Sequence, residues 1–391
     1  MTSAHSHHRL RKFRFERPQK IAALTLLLLL GQCLWVSARR PVAPSLGQVA
    51  PRGSEALPVP SMPAGGSAAC QNNDDGSLAR LAIAVPLALH RAWAGQPETA
   101  NASDIRRFGA GSRILLACPF ILAALALGAC LWWVTRRLFG NEGGYISLAL
   151  YCFMPGVVQL ATTPNNDILA AFGLFAAVYT AIGVSHAMLG PRRKWRPRIL
   201  LLVVILGFTA AAHIAAFEVA LLLMAIFMTW VAENHRAWIP ALLLLWIAGA
   251  ALLLFACCGF SPDAVISIFR SGAGRFGFSA QPARRFFSGP SNAGFSLALA
   301  GSLALYAAQR RSRYFGNTSP LLVGGLLMVL AVPRLPAAPW LWALPFLIAF
   351  VGGVFADALE TRWRRPFLWI AALLILAQAA LCLASLPGMI S

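Results

Sequence analysis

The chain has 391 residues, of which 58% are hydrophobic and only 12% charged. Soluble domains carry about a quarter charged residues, so composition excludes a soluble domain and points to an integral membrane protein. The 33 Lys+Arg against 13 Asp+Glu would raise nucleic acid as a partner in a soluble chain. Here the excess is assigned to cytoplasmic loops and membrane lipids, and no nucleic-acid partner is expected. The eight cysteines fall mostly inside apolar runs with no ligand spacing, so neither a disulfide framework nor a metal site is expected.

A helix that crosses the hydrocarbon needs about 20 apolar residues. Runs of that kind, separated by charged or Pro/Gly breaks, lie at 20–37, 113–135, 143–161, 166–187, 198–213, 215–231, 238–258, 291–308, 319–334, 338–356 and 366–386. The expected fold is therefore all-α, a polytopic bundle of about 11 spans. The stretch 199–231 is apolar throughout, and one broken helix or two short ones both fit it.

The run from Ile21 to Val36 follows a basic tail (Arg9, Arg11, Lys12, Arg14, Arg17, Lys20), a pattern shared with signal peptides. Its end, Val36-Ser37-Ala38, is followed at once by Arg39 and Arg40, a poor cleavage site. It is read as an uncleaved span. An inside N-terminus puts most basic residues on the cytoplasmic side, although Arg39, Arg40 and Arg113 then flank spans on the outer side. The expected organisation is a basic cytoplasmic tail at 1–19, a first span at 20–37, an external loop at 38–112 and a transmembrane helical domain at 113–391, in the cytoplasmic (inner) membrane of a bacterium.

Within the external loop, 41–69 is rich in Pro, Gly, Ser and Ala and lacks the apolar content for a core. Residues 78–93, too short to span and carrying Arg80, His90 and Arg91, read as an amphipathic helix lying at the interface. A second external segment, 259–290, interleaves Arg270, Arg275, Arg284 and Arg285 with Phe269, Phe276, Phe278, Phe286 and Phe287, which also suits headgroup level.

Ionisable groups at membrane depth cost about 2.5 to 3.5 kcal/mol on insertion scales, so each is a functional candidate. Asp167 sits in a short external turn, Thr162 to Asp167, that opens the next helix. It fits either a helix N-cap or a site acid, and the two roles are compatible. Asp74 and Asp75 are adjacent carboxylates ahead of the interfacial helix. They suit a general base with a neighbour that binds a cation or raises its pKa, or equally a solvated turn. His213 and Glu218, five apart in an apolar stretch, fit a mutual pair, an arginine partner or a substrate contact. The external arginines Arg270, Arg275, Arg284 and Arg285 can clamp a phosphate or meet headgroups. Arg334, in an otherwise apolar turn between spans, suits a phosphate or carboxylate.

The stretches 132–140 (WWVTRRLFG), 144–155 (GYISLALYCFMP) and 159–167 (QLATTPNND) together resemble the second-to-fourth-span region of GT-C glycosyltransferases. That group includes protein O-mannosyltransferases and the aminoarabinose transferase of lipid A. Residues 191–197 and 207–214 are similar to that family's next hairpin. The resemblance implies inverting transfer of a sugar from a polyprenyl-phosphate donor to an acceptor on the outer face. It also implies a first-loop aspartate, Asp74 or Asp75, that deprotonates the acceptor hydroxyl, with Asp167 as a second acidic position. His213 stands where the family often has a lysine. Two other classes fit the composition. One is a non-catalytic polytopic protein that binds lipid-linked glycan or scaffolds an envelope complex. The other is a secondary transporter, disfavoured because no repeat and no string of intramembrane acids is visible.

Overall fold

The computed structural model describes residues 17–40, 78–94, 110–188, 196–231, 233–272, 276–331 and 338–390. Among these, seven helices are long and apolar enough to cross a membrane. The chain is an all-α, multi-pass membrane protein, and its exposed surface is rich in Leu, Ile, Phe and Trp, as a surface solvated by lipid should be.

The first run forms α1 (Arg17–Arg39), and the expected interfacial segment forms α2 (Leu78–Ala94). The next helix, α3 (Ala110–Cys152), has 43 residues and would be about 65 Å long if straight. It is instead two antiparallel legs joined at Gly140, whose φ of 77° and ψ of −174° only glycine adopts without strain. Tyr151 Oη donates to Ala124 O at 2.8 Å across the hairpin. The second leg breaks before Pro155 and resumes as α4 (Pro155–Ala161), so the apolar run 143–161 is two pieces rather than one helix. The break leaves carbonyls without helical donors in the apolar interior. Gln32 Nε2 reaches Cys152 O at 3.4 Å and Gln378 Nε2 reaches Phe153 O at 3.0 Å, which satisfies non-helical backbone from within the protein.

The chain continues through α5 (Asp167–Met188), α6 (Arg196–Ala212), α7 (Ile214–Val231) and α8 (Ile239–Cys257). The 199–231 stretch is two helices. Gly207 abuts Leu253 and Gly249 abuts Val203, so α6 and α8 run parallel and α7 returns the chain between them. His213 is the single non-helical residue at the α6–α7 corner.

The segment after α8 folds as α9 (Pro262–Gly272), β1 (Gly277–Phe278) and α10 (Gln281–Ser288). Four further α-helices follow among the described residues: α11 (Ala293–Ala308), α12 (Phe315–Val329), α13 (Ala338–Leu359) and α14 (Arg364–Ser385). The 319–334 run is helical only to Val329, after which β2 (Leu330–Ala331) pairs antiparallel with β1. Helix α13 is the hub, packed against α3, α5, α11, α12 and α14, with 94% of its apolar window buried against 17% for peripheral α14. Gly352 and Gly353 leave no room for a Cβ between α13 and Ser147 of α3 or Asn317 of α12. At the Gly140 end of the bundle, Arg136, Arg137 and Arg362 lie over the rings of Trp132, Trp133 and Trp363, the pairing of aromatic and cation expected at a lipid interface.

Candidate functional site

The opposite end of the bundle gathers the ends of α1 and α6 and the starts of α2, α3, α5 and α13. The segment between α4 and α5 organises it. Pro164 cannot continue a helix, and the hydroxyls of Thr162 and Thr163 fold back onto Val158 O and Gln159 O at 2.9 and 2.8 Å. Three consecutive residues then take three tasks. Asn165 Oδ1 accepts from Asp167 N at 3.0 Å and Ile168 N at 3.4 Å, so Asn165 is the side chain that caps α5. This corrects the capping role considered for Asp167. Asn166, buried, accepts Ala79 N through Oδ1 at 2.9 Å and thereby anchors the first turn of α2. Asp167 keeps its carboxylate out of the cap, at the head of α5.

That carboxylate meets His213: Asp167 Oδ1 lies 3.0 Å from His213 Nε2. The pair joins the first turn of α5 to the α6–α7 corner, 46 positions apart in sequence. His213 is 4% exposed and Asp167 18%, so the imidazole is enclosed while the carboxylate is partly reachable. With Asp167 ionised, the hydrogen must sit on Nε2, whether the ring is neutral or cationic. Asp167 is thus the partner of His213 at Nε2. Glu218 sits one turn into α7 and is half-buried. Trp342 of α13 lies 6.0 Å from the His213 ring, centroid to centroid, and its indole N–H is buried without a hydrogen-bond partner among the described residues.

Two arginines unforeseen as site residues join this end. Arg40, just past α1, donates from Nη1 to Thr162 Oγ1 at 3.4 Å, and Arg113 Nη1 donates to Arg40 O at 3.1 Å. Burial holds the Arg40 pKa below the usual arginine value.

The expected phosphate-binding arginines are placed differently. Arg270 on α9 and Arg284 and Arg285 on α10 are exposed. On α10 Arg284 and Arg285 precede Phe286, which turns inward to stack on Trp340 at 5.2 Å, so this short helix has a basic outer side and an apolar inner one. Asp74, Asp75, Arg275 and Arg334 lie outside the described residues. The sequence reading missed a buried carboxylate near the Gly140 end, Asp357 on α13, which accepts from Asn317 Nδ2 at 2.9 Å. Asp357 falls one residue past the expected end of its apolar run, 338–356.

Among the described residues no group of three or more His, Cys, Asp or Glu side chains is arranged to hold a metal ion. No family model matches the chain, and neither a curated protein nor a solved structure is detectably similar to it.

Proposed function

We propose that the protein is a GT-C-like membrane glycosyltransferase that moves a sugar from a polyprenyl-phosphate donor to an acceptor on the outer face of a bacterial inner membrane. The reading takes eleven spans with the N-terminus inside, which puts Asp167 on the outer side. One observation carries it: the Asp167–His213 pair at 3.0 Å, held at the end of an apolar bundle. An acceptor hydroxyl must lose its proton as it attacks the anomeric carbon and polyprenyl phosphate departs. A carboxylate oriented by an imidazole supplies a base or a hydrogen-bond acceptor for that hydroxyl. Asn166 ties the start of α2 beside this pair. Asp75 precedes Ala79 by four residues in the chain, and the resemblance implies Asp74 or Asp75 as the acid that deprotonates the acceptor.

The runner-up is a non-catalytic protein that binds lipid-linked glycan or scaffolds an envelope complex. It is favoured by the enclosure of His213, whose Nε2 is already engaged, because such a pair also serves as a clamp between helices. The two readings separate in proteoliposomes supplied with a panel of polyprenyl-phosphate sugars. Release of polyprenyl phosphate with transfer of the sugar supports the enzyme. Donor binding without release supports the runner-up, and absence of both refutes the two together.

A further inference from the structure

Arg40 and Arg113 are close enough for one to bond the backbone of the other, yet among the described residues no acidic side chain lies between the two cations. Among the described residues neither guanidinium makes an ion pair. Arg40 spends one N–H on Thr162 and Arg113 spends one on a carbonyl, out of five donors in each fork. Arg113 Nε is buried with no partner. The neighbouring Arg39 is accounted for differently, its guanidinium lying over the Trp35 ring at 4.7 Å. The nearest carboxylate in sequence to Thr162 is Asp167, whose Oδ1 is taken by His213.

A lone arginine that staples a helix end needs no further partner. Two partly buried guanidiniums with unspent donors and an enclosed, unbonded N–H gain most from an anion, which fills several donors and offsets both charges at once. A structural role accounts for the Arg113 bond to Arg40 O, which satisfies a carbonyl beyond the last turn of α1. It accounts neither for the second cation nor for the unbonded Nε. Both arginines are also among the residues that break the positive-inside pattern under the proposed orientation, a placement that selection for topology alone disfavours.

We propose that Arg40 and Arg113, with Thr162 beside them, form a binding site for a phosphate-type oxyanion at the Asp167 end of the bundle. The guanidinium fork matches tetrahedral oxyanions in pairs of N–H···O bonds, and two forks provide donors for several oxygens. The oxyanion comes either from an anionic phospholipid headgroup or from free phosphate. The site does not depend on sugar transfer and stands or falls on binding alone.

The test uses the full chain purified in neutral detergent and in nanodiscs. Free phosphate is titrated against chloride at matched ionic strength, with the thermal unfolding midpoint as readout. Retention of phosphatidylglycerol over phosphatidylcholine is read in parallel by native mass spectrometry. Arg40→Gln and Arg113→Gln should each weaken anion binding by about tenfold or more, as expected for loss of a charge-assisted hydrogen bond, while Arg365→Gln, exposed on α14 at the opposite end of the bundle, should not. Stabilisation by phosphate identifies the free ion, and retention of phosphatidylglycerol without a phosphate response identifies the headgroup. If a glutamine variant fails to fold, Arg40→Lys and Arg113→Lys keep the charge but lose the fork, and weaker binding than wild type is expected of both. A wild-type protein indifferent to both probes, or folded variants that bind as tightly as wild type, would overturn the site.

Discussion

Removing either partner of the Asp167–His213 pair should cost more than the removed contacts alone, because the other partner stays behind. In Asp167→Ala, His213 Nε2 remains in a pocket where the side chain is 4% exposed, and an unpaired buried donor costs about 1 to 3 kcal/mol. Interhelical hydrogen bonds in membrane proteins average only about 0.6 kcal/mol and reach about 1.7, whereas bonds to charged groups run to about 1.5 to 3. A pair that is charged on at least one side, and enclosed, should therefore show a coupling of about 1 to 2 kcal/mol. The assay is a double-mutant cycle with Asp167→Ala, His213→Ala and the double variant, read by equilibrium unfolding in mixed micelles. Asn165→Ala serves as comparison, since it removes the α5 cap at about 1 kcal/mol and should add independently to His213→Ala. If Asp167→Ala and His213→Ala are instead additive within about 0.5 kcal/mol, the clamp reasoning fails.

The remaining predictions concern the scaffold. Gln378→Leu strips partners from Phe295 N, Phe153 O and Ser291 O at once; a loss of at least about 2 kcal/mol should appear as a lowered unfolding midpoint. Asn166→Ala frees Ala79 N, so hydrogen exchange at the start of α2 should quicken while the core of α13 stays protected. Gly352→Val drives a side chain into Ser147 and the carbonyl of Gly143. Overpacking of that kind costs about 1 to 3 kcal/mol, which should reduce the yield of folded protein. Reporter fusions after residues 190 and 275 should report inside and outside respectively, and matching locations would contradict the proposed topology.

Much of the helical scaffold is legible in the sequence because each apolar run must close its own backbone hydrogen bonds in lipid. Breaks were harder to read. The reversal between the runs 113–135 and 143–161 was legible as a charged, glycine-bearing break, but that the single residue Gly140 makes it follows from a tight return rather than from any local pattern. The gap before Pro155 survives because Gln32 and Gln378 arrive from α1 and α14, and neutral amides in apolar runs drew no attention beside ionisable groups. Asp167 and His213 were both visible as polar residues in costly places. Their pairing was not, because it depends on α6 and α7 folding back at residue 213, within a stretch that reads equally well as one broken helix or two. Arg40 and Arg113 showed only as exceptions to charge bias, and their proximity required the start of α3 to meet the end of α1.

The most direct test of the proposed function is sugar transfer by Asp167→Asn. Asn165 supplies the α5 cap, so the substitution keeps shape and capping and removes only the charge. In proteoliposomes with the competent polyprenyl-phosphate donor, turnover should fall about tenfold to a hundredfold, with folded yield unchanged. Transfer at the wild-type rate by a well-folded Asp167→Asn protein would contradict the account and leave Asp167 a structural partner of His213.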